Sequence, residues 1–133
     1  MTDTKKKVLI VDDDKFLLGM YSLKFSNNNY EVDTAVGSTV ALEKLRAGAK
    51  PDVLLLDIIM PRMDGLELLK VVRDENLAPD ATVVMLTNQS QSSDIERAKD
   101  LKVDGYIVKA STIPSEVLAE VEKIYTEKNA GKK

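Results

Sequence analysis

The densest negative charge in the chain follows its most apolar run: VLIV at residues 8–11 leads straight into Asp12, Asp13 and Asp14. Two carboxylates about 5 Å apart repel by roughly 3 kcal/mol at an effective dielectric near 20. One of the three can cap a helix beginning near Lys15, because an Asp side chain accepts from the unpaired N–H groups of a first helical turn. Capping needs one carboxylate and leaves two unexplained. An EF-hand loop does not account for them, since positions 16 and 17 are Phe and Leu and the required glycine is missing. A hard divalent cation does. Mg²⁺ takes carboxylate oxygens while keeping several waters and room for a phosphoryl oxygen.

A second apolar run, VLLL at residues 53–56, delivers Asp57 and continues into IIMPRMDG. A carboxylate beside a cation can attack phosphorus and form an aspartyl phosphate. Such a transfer needs chiefly positioning and charge neutralisation. Thr87 follows VVML, and Lys109 follows YIV. The cation, the ammonium and the hydroxyl would each meet one side of a phosphoryl group. Singly, Thr87 and Lys109 are ordinary strand ends; the agreement of four ends is what makes the set specific.

The elements that must hold these residues are visible as a repeat of period. Apolar runs at Val8–Val11, Glu31–Ala35, Val53–Leu56, Thr82–Leu86 and Tyr106–Val108 alternate with segments of helical spacing. Those segments carry Leu17, Leu18, Tyr21 and Phe25, then Ala41, Leu42 and Leu45, then Leu66, Leu68, Leu69 and Val72. A polar fourth segment holds Ile95, Ala98 and Leu101, and Val117, Leu118, Val121, Ile124 and Tyr125 form the clearest stripe. Gly48, Pro51, Gly105 and Pro114 punctuate the segments, and Ser38 and Ser115 are candidate caps. Five alternations predict a parallel sheet with helices on both faces. The first, third and fourth runs suit central strands, and the more polar second run suits an edge. In such sheets ligands bind outside the carboxyl ends of the strands, where all four chemical groups fall.

Composition narrows the chemistry. At 133 residues, 44% apolar and 31% charged, the chain suits one soluble domain spanning 1–133, with a core at about 6–126 and a polar tail at 127–133. A net charge of −3 offers no basic face for nucleic acid. Without cysteine or histidine there is no disulfide, thiolate metal site, serine–histidine triad or internal histidine shuttle. No signal peptide or membrane span is visible, so a cytoplasmic location is expected.

The succession VDDD, LLLDIIMPRMDG, VVMLTN and DGYIVKA strongly resembles the receiver domain of two-component response regulators, over about residues 6 to 126. The resemblance implies a doubly wound (βα)5 flavodoxin-like domain with strand order 2-1-3-4-5. It implies that Asp57 is the phosphoacceptor. Asp12, Asp13, Asp57 and the backbone carbonyl of Ile59 would hold Mg²⁺ (or Mn²⁺), and Thr87 and Lys109 would contact the phosphoryl group. Tyr106 resembles the family's switch aromatic, which turns inward as the threonine moves toward the phosphate. The donor would be a phosphohistidine on a histidine kinase or phosphotransfer domain. The output would be a protein target or a self-dimer through the fourth helix, fifth strand and fifth helix. The chain ends with its fifth helix, so no output domain is expected, and no catalysis beyond its own phosphorylation and slow dephosphorylation.

Three departures from the family pattern bear on rate. Ala110 stands where the family usually has proline after a cis bond, and a cis bond before Ala costs about 2.5–4 kcal/mol. Asn88 follows Thr87 where many members of the family have a small Ala or Gly. Ile59 and Gln89 occupy positions that set phosphate lifetime, and isoleucine cannot orient a water. A phosphorylation-deficient pseudo-receiver is the alternative that Ala110 and Asn88 leave open. A phosphatase or dehalogenase would need an acid where Ile59 stands, and a flavodoxin-type phosphate loop would not read DDDK.

Overall fold

The computed structural model describes residues 5–87, 92–108 and 113–130. Each apolar run becomes a strand and each helical spacing a helix. The strands are β1 (Lys6–Asp12), β2 (Tyr30–Val36), β3 (Val53–Asp57), β4 (Thr82–Thr87) and β5 (Gly105–Val108). They alternate with α1 (Lys15–Ser26), α2 (Ser38–Arg46), α3 (Gly65–Asp74), α4 (Ser92–Asp100) and α5 (Pro114–Ala130). All pairings are parallel and the order is β2-β1-β3-β4-β5, the arrangement expected from the sequence.

Strand periodicity sorts the core into two layers. Leu9 and Val11 of β1, Leu54 and Leu56 of β3, and Val83 and Met85 of β4 face α2, α3 and Ala98 of α4. Val8, Ile10, Val53, Leu55, Val84 and Leu86 face Leu18, Tyr21 and Phe25 of α1 and Val117, Leu118 and Val121 of α5. Both faces of β3 and β4 are covered, which is why those runs carry no exposed polar position. Each fully buried leucine contributes about 1.5–3 kcal/mol of burial, so the acid-bearing strands are among the stiffest parts of the chain. β2 alternates buried and exposed residues, as its edge position requires.

Several local expectations need correction. Glu127 to Ala130 belong to α5 instead of a frayed tail: Lys128 Nζ donates to the Ala81 carbonyl at 2.7 Å and lies 3.2 Å from Asp104 Oδ2. A run of polar residues hides these two partners, which are contributed by distant loops. Ser38 is no cap; its buried hydroxyl donates to the Met63 carbonyl at 2.6 Å. Gly105 opens β5 and Pro114 opens α5, where the fixed φ of proline suits a first helical position. A Cβ at Gly105 would stand 2.2 Å from Ile124 Cδ1, so the glycine lets α5 lie close on β5. Among the described residues no helix is long and apolar enough to cross a membrane.

Candidate functional site

β1 leaves the sheet centre for β2 on one side, and the chain returns to β3 on the other. The crevice between β1 and β3 is therefore where strand order reverses. Registry places Val11 beside Leu56 and Asp57 beside Leu86, so Asp12, Asp57 and Thr87 end neighbouring strands at one rim. All three are buried, and Asp13 is exposed. One carboxylate oxygen from each of Asp12, Asp13 and Asp57 lies within 4.8 Å of the other two. An octahedral cation with oxygens at about 2.1 Å separates them by about 3 to 4.2 Å, so small side-chain rotations close this set on a divalent ion. Oxygen donors alone favour a hard cation.

The acid cluster divides as the sequence suggests. Asp14 is extended (φ −96°, ψ 106°) and its carboxylate accepts from the N–H groups of Phe16 and Leu17, at 2.9 and 3.2 Å. It caps α1. Asp12 Oδ1 accepts from the Asp14 N–H at 3.0 Å, and the Asp12 carbonyl accepts from Gly37 at 3.1 Å. These bonds fix the turn that holds Asp12 and Asp13 toward β3.

The loop after Asp57 is held at both ends. Ile58 N–H donates to the Leu86 carbonyl at 3.2 Å, and Gly65 N–H donates to the Ile58 carbonyl at 2.7 Å. A Cβ at Gly65 would lie 2.1 Å from the Asp57 carbonyl oxygen, so only glycine lets α3 start this close to the acid. Arg62 takes a left-handed conformation, φ +72°, and Ser38 pins Met63 from α2. Asp64 and Glu67 close a capping box on α3, a spacing legible in DGLE. Ile59 is 56% exposed.

Asp64 also meets Arg97 of α4 at 3.4 Å, and Arg97 reaches Asp94 at 3.6 Å. Asp94 in turn acts on Tyr106. Burial chiefly raises the Tyr106 phenol above its ordinary value; the Asp94 charge adds to this, and a hydrogen bond with Thr87 opposes it. Thr87 and Tyr106 are thus joined side chain to side chain, with Tyr106 half-buried on β5. Lys109, Ala110, Asn88 and Gln89 lie outside the described residues. The contact of Ser38 with Met63, and the parts played by Gly65 and Arg97, escaped the reading of the sequence. Gly65, within MDG, carried the one visible signal; Ser38 and Arg97 act across 25 and 33 residues of chain, which no local pattern reports. A concavity of about 470 Å³ lies at the other end of the sheet, lined by Lys7, Glu31, Lys50 and Pro51 among others. None of the candidate residues among those described borders it.

Comparison with known proteins agrees with this geometry. The family described as the response regulator receiver domain matches residues 8–122. The chain is 33% identical over 119 residues to the alkaline phosphatase synthesis transcriptional regulatory protein PhoP of Bacillus subtilis, covering 90% of this chain and 48% of that one. It is 30% identical over 121 residues to the DNA-binding response regulator MtrA of Mycobacterium tuberculosis, covering 91% and 51%. The chain thus spans about half the length of these relatives. Among solved structures, chemotaxis protein CheY4 of Vibrio cholerae aligns with TM-score 0.83 at 30% identity, covering 91% of this chain and 99% of that one. A CheY-like receiver domain protein of Methanospirillum hungatei aligns with TM-score 0.86 at 26% identity, covering 96% and 98%. With fold, acid crevice and matched residues in agreement, the chain belongs to the response regulator receiver domains of two-component systems, a family of phosphoryl-accepting switches.

Proposed function

We propose that Asp57 is the phosphoacceptor and that a phosphohistidine of a histidine kinase or phosphotransfer domain is the donor. The observation that carries this reading is the convergence of three carboxylates within 4.8 Å at the β1–β3 crevice. An Asp57 oxygen attacks phosphorus, the P–N bond to the donor imidazole breaks, and the imidazole leaves with the electron pair. Asp12, Asp13, Asp57 and the Ile59 carbonyl would hold Mg²⁺, which supplies charge neutralisation to the phosphoryl oxygens. Burial of Asp57 at the end of β3 fixes its direction of attack, and Asp12 and Asp13 supply the remaining carboxylates for the ion. Lys109 and the Thr87 hydroxyl would bind the phosphoryl oxygens.

Output follows from Thr87. A hydroxyl drawn toward phosphate changes its bond with Tyr106, and Asp94, Arg97 and Asp64 relate that residue to α4 and to the loop after Asp57. Phosphate then biases two arrangements of the α4, β5 and α5 face, the surface offered to a cytoplasmic protein target or a second receiver. Ile59 offers no group to orient water, so the phosphoryl group persists. Incubation with Mg²⁺ and acetyl phosphate, followed by intact mass and peptide mapping, tests the assignment. One phosphoryl group on the Asp57 peptide is expected, and decay within seconds would sink the claim about Ile59.

A further inference from the structure

Where β2 passes into α2, Gly37 and Ser38 bond to both halves of the acid crevice. Gly37 N–H donates to the Asp12 carbonyl at 3.1 Å, on the β1 side. The Ser38 hydroxyl donates to the Met63 carbonyl at 2.6 Å, in the loop that follows Asp57. Ser38 is buried, with 3% of its surface exposed. Gly37 sits at φ +90°, which glycine adopts without strain. A serine at a helix start ordinarily turns its oxygen back onto the first-turn N–H groups. Here α2 has no side-chain cap, because Gly37 holds the cap position and the Ser38 hydroxyl reaches across to the loop. Local helix stability is given up for a bond to another element. That bond lies next to Arg62, whose left-handed backbone at φ +72° persists only with support from its surroundings. A second tie between the two elements, Arg46 to Glu75 at 2.9 Å, is exposed at the far end of α2 and therefore weak. The hold of α2 on the loop rests on Ser38.

We propose that Ser38 is a positioning residue for the cation. With Gly37 it clamps the Asp12 turn and the loop after Asp57 at the separation from which three carboxylates and the Ile59 carbonyl close on Mg²⁺. The clamp rests on the metal reading given under the proposed function. Ser38 ligates nothing itself and acts through the loop backbone. Mg²⁺ demands near-ideal octahedral geometry, so it tolerates little drift of a ligand carbonyl carried on the same short loop as Met63. Without the hydroxyl the Met63 carbonyl loses its partner, and the loop is left to the bonds at its two ends, Ile58 to Leu86 and Gly65 to Ile58. Asp12 and Asp13 then keep their turn while the Asp57 side of the site drifts against them.

Mg²⁺ titrated into the chain without any phosphodonor, followed by NMR amide shifts, tests this together with amide hydrogen exchange of the metal-free protein. Ser38→Ala should weaken Mg²⁺ binding about tenfold, as loss of groups that support metal ligands does. In the metal-free chain it should also quicken exchange of the Gly65 amide. Tyr30→Phe, a destabilising change at the opposite end of β2 from this turn, should leave Mg²⁺ affinity as in wild type. Equal affinity in wild type and Ser38→Ala overturns the clamp and leaves the metal reading standing, whatever the exchange shows. An equal drop in Tyr30→Phe overturns it too, since general loosening of the fold would then be the cause. A wild type that takes up no Mg²⁺ overturns the metal reading itself, and the clamp with it.

Discussion

β3 and β5 end at the same rim, yet they are built differently. Every residue of β3 is buried, and its neighbours on both sides are strands. β5 is an edge strand in which only Ile107 is fully buried, and beside it α4 buries Ala98 alone among its described side chains. The proposed phosphoacceptor, Asp57, stands on the first, and the proposed switch residue, Tyr106, stands on the second. Helix α5 ties the far side of the sheet to β5: Glu122 accepts from Tyr30 of β2 at 2.5 Å and lies 3.5 Å from Lys6 of β1, and Lys128 reaches the loop before β5. Regions with few buried apolar contacts open locally at low free energy, and doubly covered strands open only with the whole fold. A stiff support for chemistry beside a softer reporting edge is what a switch requires.

The contrast breaks most readily in the core. Leu55→Ala in β3 should cost about 2–5 kcal/mol in urea unfolding, and Ile95→Ala in α4 roughly 1 kcal/mol; similar losses at both sites would erase the distinction. Tyr30→Phe comes next, with a loss of about 1.5–3 kcal/mol at neutral pH from its bond to a carboxylate. Burial first, then Glu122, raises the Tyr30 phenol above its ordinary value near 10. The folded state therefore holds this proton more tightly than the unfolded one. Its stabilisation is complete below pH 10 and drains away as pH rises further. The gap between wild type and Tyr30→Phe should narrow above pH 10, and a widening gap would reverse the sign.

Three further variants, with smaller effects on stability, sharpen the site end of the comparison. Gly65→Ala should cost roughly 1–3 kcal/mol by overpacking against the Asp57 carbonyl and slow acetyl phosphate labelling, measured by intact mass. Asp14→Ala should cost about 1 kcal/mol as a lost cap with labelling nearly unchanged. Asp13→Ala should leave stability almost untouched and nearly abolish Mg²⁺-dependent labelling. Parallel behaviour of the two aspartate variants would undo the division between cap and metal ligand.

The stiff half was largely legible in the sequence. Unbroken apolar runs declare strands covered on both faces, and the acids that end them declare a rim, because strand alternation and the switch-point rule act over short spacings. Asp14 as a cap and β2 as an edge are of the same local kind. The polar half was less legible. Ser38 reads as a helix cap until Met63 is folded against it, 25 residues away. Lys128 reads as tail until Ala81 and Asp104 supply its partners. Arg97 reads as solvated charge until α4 lies beside Asp64. A polar side chain declares what it can bond, and only the tertiary fold decides which distant partner it meets.

The most direct measurement of the central claim is acetyl phosphate labelling of wild type and Asp57→Asn with and without Mg²⁺, read by intact mass. The account predicts one phosphoryl group on wild type, present only with the cation, and none on Asp57→Asn. Equal labelling of the two proteins, or labelling of wild type that ignores Mg²⁺, would contradict it.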